Sequence, residues 1–151
     1  MKYKKSQIGW VVILIFAPLI IFLYLAYVNH WGNNPLPFVP FLVLALLFGV
    51  IVAMFYKLTV ELSGSTLKLV YGIGLIKIKF EINELERTEI IKIPCYYGLG
   101  IRITPKGMLY NIQGSKAVNI LYTSNGKRKS IMVGSPEPEQ LKKALENNWN
   151  K

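Results

Sequence analysis

The sequence predicts a membrane α-helical hairpin followed by a small α+β domain. Three observations predict it. The amino-terminal third carries almost no charge, hydrophobicity changes from continuous to alternating near residue 57, and helical spacing returns only at the carboxy-terminal end. The chain has 151 residues, 52% of them hydrophobic, a mean hydropathy of +0.36 and a formal net charge of +10. That mean is high for a water-soluble domain of this size.

Between Lys5 and Lys57 there is no Lys, Arg, Asp or Glu. Ile8 to Val28 and Leu36 to Phe55 are apolar runs, each about 20 residues, enough to span a bilayer core of roughly 30 Å as a helix. Backbone groups in lipid are satisfied only in helices or closed barrels, and runs this long without alternation are helical. A signal peptide is the alternative for the first run. Lys2, Lys4 and Lys5 supply its basic start, but the apolar core is too long and no convincing small-x-small cleavage site follows.

Lys and Arg set the expected orientation. Lys2, Lys4 and Lys5 precede the first run, Lys57 and Lys68 follow the second, and the connection from Asn29 to Pro35 has none. The positive-inside rule then puts both termini in the cytoplasm. Tyr24, Tyr27 and Trp31 would mark the outer interface, and Tyr3, Trp10 and Tyr56 the inner one. Pro18 falls inside the first helix, where a kink is expected. Pro37 and Pro40 fall in the first turns of the second, where proline costs less.

The division expected is a membrane unit over residues 1–56 and a cytoplasmic domain over 57–151. The latter holds 15 Lys and Arg against 8 Glu, a net +7. No Gly/Ser-rich or Pro-rich spacer follows Tyr56, so the domain must sit close to the membrane. Leu58, Val60 and Leu62 alternate with polar residues, as do Leu67, Leu69 and Tyr71, then Ile76, Ile78, Phe80 and Ile82. Residues 83–86 read as a turn or short helical piece, and Thr88 to Ile93 as a fourth strand. Tyr96 to Ile103 is apolar and glycine-punctuated, and Met108 to Ile112 is a further strand. Ala117 to Thr123 and Lys127 to Val133 flank Asn125-Gly126, a strong hairpin signal. Ser135 suits a helix cap and Pro136 a first helical position, with Leu141, Ala144, Leu145 and Trp149 forming one apolar face. About seven short antiparallel strands and one closing helix result.

That order resembles the bacterial pleckstrin-homology-like domain, which often follows one or two transmembrane helices. The resemblance covers residues 57–149. It rests on Tyr97-Gly98-Leu99-Gly100-Ile101-Arg102, Gly107 to Asn111, Ala117 to Ile120, the Asn125-Gly126-Lys127 hairpin, Ile131 to Gly134, and the Pro136 to Leu145 segment. It implies a seven-stranded antiparallel sheet or barrel closed by the carboxy-terminal helix. Size and layout also resemble small membrane proteins of the sublancin (bacteriocin) immunity type, which implies self-immunity to a peptide bacteriocin.

Catalytic constellations are absent from the sequence. There is no Asp, one His and one Cys, so neither a Ser-His-Asp triad nor a His/Cys zinc cluster can form within one chain. His30 lies in the outer connection beside Trp31, and Cys95 reads as a small buried hydrophobe. Gly72-x-Gly74 and Gly98-x-Gly100 do not complete a dinucleotide fingerprint and read as turns or bulges. Glu84, Glu86 and Glu89 sit beside Arg87 and Lys92 as a charge-balanced edge. No enzyme, cofactor or metal is expected, and no nucleic-acid partner, since no recognition helix or stacking motif accompanies the basic residues.

The expected partners are the bilayer and its anionic inner-leaflet lipids, with Lys2, Lys4, Lys5, Lys57, Lys127, Arg128 and Lys129 as candidate contacts. A solvated face is the alternative reading of the same charges. Tyr96, Tyr97, Leu99 and Arg102 form a candidate partner-binding loop, or else Tyr97 and Leu99 plug the core. The resemblance adds an antimicrobial peptide or its membrane target as partner. A membrane-anchored scaffold binding a protein through the domain is the alternative function.

Overall fold

The computed structural model describes residues 3–94 and 100–149. Two apolar helices, α1 (Trp10–Val28) and α2 (Phe38–Phe55), stand side by side, and both are long and apolar enough to cross a membrane. No residue of either is buried. Phe16 meets Phe48 edge-on at 5.6 Å, and Tyr27 stacks on Phe41 at 4.4 Å. Pro37 is the N-cap of α2 and Pro40 lies in its first turn, where the missing N–H has no intrahelical partner to lose.

The helical pair is inserted between neighbouring strands of one sheet. Ahead of α1 runs β1 (Tyr3–Ile8), and after α2 runs β2 (Lys57–Ser63). They pair antiparallel from Tyr3↔Leu62 to Ile8↔Lys57. The 56/57 boundary is therefore corrected: the domain draws strands from both sides of the helices. Tyr3 does not mark an interface. It is buried in the core, and its hydroxyl lies 3.3 Å from Ser135 Oγ. Burial raises its pKa above the usual phenol value.

The remaining strands are β3 (Thr66–Tyr71), β4 (Ile76–Glu81), β5 (Glu84–Lys92), β6 (Gly100–Thr104), β7 (Gly107–Asn111), β8 (Lys116–Ser124) and β9 (Lys127–Gly134), followed by helix α3 (Pro138–Trp149). They form a four-stranded sheet, β1-β2-β3-β4, and a five-stranded one, β5-β8-β9-β7-β6. Period-two alternation sends Leu58, Val60, Leu62, Leu67, Leu69 and Tyr71 inward from the first sheet. Val118, Ile120, Tyr122, Ile131 and Val133 meet them from the second, and Leu141 and Leu145 of α3 complete the core. Leu109, Ala117 and Met132 form a smaller cluster with Ile93 on the other face of the five-stranded sheet.

The expected seven-stranded closed sheet is corrected in three respects. Nine strands occur among the described residues, in two sheets that do not close into a barrel. Among the described residues β4 pairs only with β3, and β5 only with β8, because the chain leaves one sheet for the other at Ile82-Asn83. Pairing is not wholly antiparallel either. β7 and β9 run parallel, Met108↔Ile131 to Tyr110↔Val133, since β9 lies between β7 and β8.

Residues 84–86 belong to β5 rather than to a turn or helical piece. A bulge between Leu85 and Arg87 hides the alternation there. The extra residue, Glu86, accepts the Thr123 hydroxyl at 2.8 Å and Arg128 Nε at 2.9 Å. Those two hydrogen bonds, Thr123 first, hold its carboxyl below the usual range. α3 also begins two residues later than Pro136. Leu141 N–H bonds to Glu137 O, so Glu137 caps the helix and Pro138 takes its first position. Ser135 Oγ instead accepts the Glu137 N–H at 3.2 Å in the preceding turn.

Candidate functional site

The helices join the domain through backbone hydrogen bonds that their own ends require. A helix leaves its last carbonyls without intrahelical donors, and in an apolar medium those groups need partners. At the end of α2, Tyr56 N–H bonds to Val52 O, Ile73 N–H to Ala53 O at 3.2 Å, and Gly9 N–H to Tyr56 O at 2.7 Å. The donor of the middle bond comes from the β3–β4 turn, residues 72–75. That turn is thus seated against the last turn of α2. At Gly9 a Cβ would stand 2.6 Å from Phe55 O and 3.0 Å from Ile112 Cγ1, so the two chains pass too closely for a side chain. The start of α1 is held similarly. Trp10 N–H bonds to Gln113 Oε1 at 2.8 Å, and Gln7 Nε2 donates to Gln113 O.

A cleft of about 360 Å³ opens at this junction. Val12, Ile51 and Phe55 wall it from the helices, and Gly100, Ile101, Arg102 and Ile112 from the five-stranded sheet. Of the candidate partner-binding loop, Arg102 lies here on β6, with its side chain exposed. Tyr96, Tyr97 and Leu99 lie outside the described residues, as do Cys95 and Lys2.

Five basic residues make ion pairs among the described residues, and Lys68, Lys79, Lys106, Lys127, Lys129 and Lys143 are among those that make none. Those in ion pairs stand away from the helix roots or on β1. Lys4 is 3.9 Å from Glu61, Lys5 is 3.1 Å from Glu137, Lys142 is 3.7 Å from Glu146, and Arg87 pairs with Glu89. Lys4 and Lys5 are therefore held in a paired strand rather than in a free basic tail. Arg128 pairs with Glu86 at 2.9 Å.

Lys127, Arg128 and Lys129 sit at the far end of the domain. Asn83 N–H bonds to Thr123 O and Ile82 N–H to Ser65 O, which fixes the β8–β9 tip beside the β2–β3 turn, opposite the helices. The seven residues of β2 separate the two ends, about 20 Å at strand rise. That exceeds a Debye length of about 8 Å. These three residues therefore lie apart from the helix roots.

Four lysines lie around the roots. Lys57 opens β2, and Lys77 lies on β4 just beyond the 72–75 turn. Lys92 and Lys116 face each other directly across β5 and β8, and Lys116 is three residues beyond Gln113. None of these four makes an ion pair among the described residues. Lys92 and Lys116 were not candidates from sequence, because nothing local shows which strand ends lie beside the helices.

A second, open groove of about 460 Å³ follows the seam where the sheets fail to close. Phe80 of β4 meets Tyr110 at 5.3 Å and Tyr122 at 6.5 Å, both edge-on, on its floor. Lys79, Lys129 and Ile103 line its rim, and Ile103 is 86% exposed. Burial raises the pKa of the Tyr110 and Tyr122 phenols, so both stay neutral at physiological pH. His30 lies in the helical connection with φ +50°. Glu84 and Glu86 are spread along β5 with Glu89, and Glu86 and Glu89 are engaged with arginines. Among the described residues no three His, Cys, Asp or Glu side chains gather as metal ligands. No family model, curated protein or solved structure matches the chain.

Proposed function

We propose that this is a non-enzymatic, two-helix membrane protein that gives its cell self-immunity to a secreted antimicrobial peptide. It would intercept the peptide at the bilayer or shield the peptide's membrane target. The observation that carries this reading is the apolar pair α1 and α2, no residue of which is buried, clamped without a linker between β1 and β2. Such a pair presents an apolar wall to lipid and to anything entering lipid. The domain would hold that wall at a fixed angle from the cytoplasmic side, the side to which the positive-inside rule assigns both termini. The resemblance to bacterial pleckstrin-homology-like proteins of the bacteriocin-immunity type supports the same reading. The sheet-rich domain with its carboxy-terminal helix is the part of the layout that fits it.

Expression in a peptide-sensitive strain tests the proposal. Survival should rise against one peptide of a panel and not against unrelated ones. Killing unchanged across the panel sinks the immunity role.

The open seam favours a second reading, a membrane-anchored scaffold that binds a protein partner. Exposed Ile103 beside the Phe80, Tyr110 and Tyr122 cluster, between two strands at sheet edges, is the kind of surface a partner strand can join. Affinity purification from detergent should then recover a stoichiometric partner that Ile103→Lys releases. Recovery of none counts against this reading.

A further inference from the structure

We propose that the helix-proximal end of the domain is itself a docking surface for anionic phospholipid. The β3–β4 turn enters the bilayer beside α2, and a collar of unpaired lysines meets the lipid phosphates. The inference rests on the membrane-anchored reading of α1 and α2 and adds to it an inserted turn and a further set of contacts.

Three observations carry it. Outside the helices and their connection, the exposed large hydrophobics among the described residues are Ile8, Ile73, Leu75 and Ile103. Three of those four lie at the end where the helices leave, and Ile73 and Leu75 are 66% and 61% exposed. These two flank Gly74 on a short turn, an apolar pair suited to a lipid or partner surface. Second, the turn is level with the membrane helix rather than hanging below it. Its Ile73 N–H bonds to Ala53 O, two residues inside the end of α2, about 3 Å along the helix axis. A side chain leaving that level meets the same medium as the last turn of α2.

Third, charge is arranged to match. Lys57, Lys77, Lys92 and Lys116 ring the same end without carboxylate partners. Lys77 lies over the turn, its Cε 3.2 Å from where a Cβ on Gly74 would stand. Lys92 opposite Lys116 is a like-charge cross-strand pair whose repulsion an anion would relieve. A phosphate plane supplies that anion to all four at once. The occupant follows from continuity: the surface is contiguous with two helices whose only complementary medium is lipid.

The test uses the full chain carrying Cys95→Ser and single cysteines Leu75→Cys, Leu46→Cys or Asn125→Cys, each spin-labelled. These are reconstituted in vesicles of phosphatidylcholine alone or with one-third phosphatidylglycerol. Accessibility to oxygen and to a water-soluble nickel chelate reads the depth of each label. The Leu75 label should resemble the one at Leu46, oxygen-accessible and protected from nickel, while the one at Asn125 stays nickel-accessible. Protection at position 75 should deepen severalfold with phosphatidylglycerol, and Lys77→Gln with Lys116→Gln should abolish that increment. Nickel access at 75 equal to that at 125, with 46 still in lipid, overturns this inference and leaves the anchored reading intact. Nickel access at 46 removes the anchored reading and this one with it. Protection at 75 that ignores phosphatidylglycerol overturns the assignment to anionic lipid.

Discussion

Gly72→Ala is expected to destabilise the protein by about 2–4 kcal/mol, against about 1 kcal/mol for Gly64→Ala. The two glycines form a matched pair. Both adopt the left-handed region, at φ +56° and +55°. Alanine at either position meets the same backbone penalty, of order 1 kcal/mol. A Cβ on Gly64 would meet nothing within 4 Å, whereas one on Gly72 would collide with Ala53 O and stand 2.6 Å from Met54 O. The 72–75 turn must then lift from α2 and lose the Ile73 to Ala53 hydrogen bond. On the membrane-anchored reading, an orphaned carbonyl at that level has no water to accept from, so its desolvation cost of about 1–3 kcal/mol is added. Denaturation of each variant in mild detergent, followed by circular dichroism, measures the difference. Equal losses at the two positions would mean that the turn does not bear on the helix.

Elements whose cause is local were legible in the sequence. Asn125 and Gly126 both take positive φ, +52° and +71°, as the two-residue hairpin between paired Ser124 and Lys127 demands. The charge-free runs form α1 and α2, shorter than expected by two residues at their starts. The strand β1 was not legible because its inward face is Tyr3, Lys5 and Gln7, with no apolar alternation to read. Its lysines also fit a topogenic cluster, and one pattern served two structural roles. Sheet closure and the β7–β9 parallel pairing depend on how distant strands meet, which periodicity does not encode. Which basic residues lie beside the helices was not legible for the same reason. Lys127-Arg128-Lys129 is conspicuous along the chain, but the set beside the helices comes from four strands and has no sequence run.

Tyr3→Ala is expected to cost about 3–4 kcal/mol, near the lower part of the range for truncating a buried aromatic, and Tyr3→Phe about 1 kcal/mol or less. Tyr3 is only 9% exposed, and its ring packs into the core shared by both sheets. Its hydroxyl meets Ser135 Oγ, which keeps the Glu137 N–H when the phenol is removed, so the phenylalanine variant leaves little unsatisfied. Truncation has a further consequence because, among the described residues, β1 is an edge strand paired only with β2. Its inward face offers no other large apolar side chain, so Tyr3 is its main hold on the core. Loosening it should expose residues before Gly9 to limited proteolysis in detergent while α2 and β2 stay protected. If the segment served only as a basic tail orienting α1, both Tyr3 variants would fall within about 0.5 kcal/mol of the parent, as surface changes do. The protease pattern would then be unchanged as well. A large loss confined to Tyr3→Ala instead makes β1 a second mechanical tie between helix and domain, so that α1 and α2 are each continuous with a strand of the same sheet. A force on either helix is then carried into adjacent strands rather than absorbed by a flexible linker.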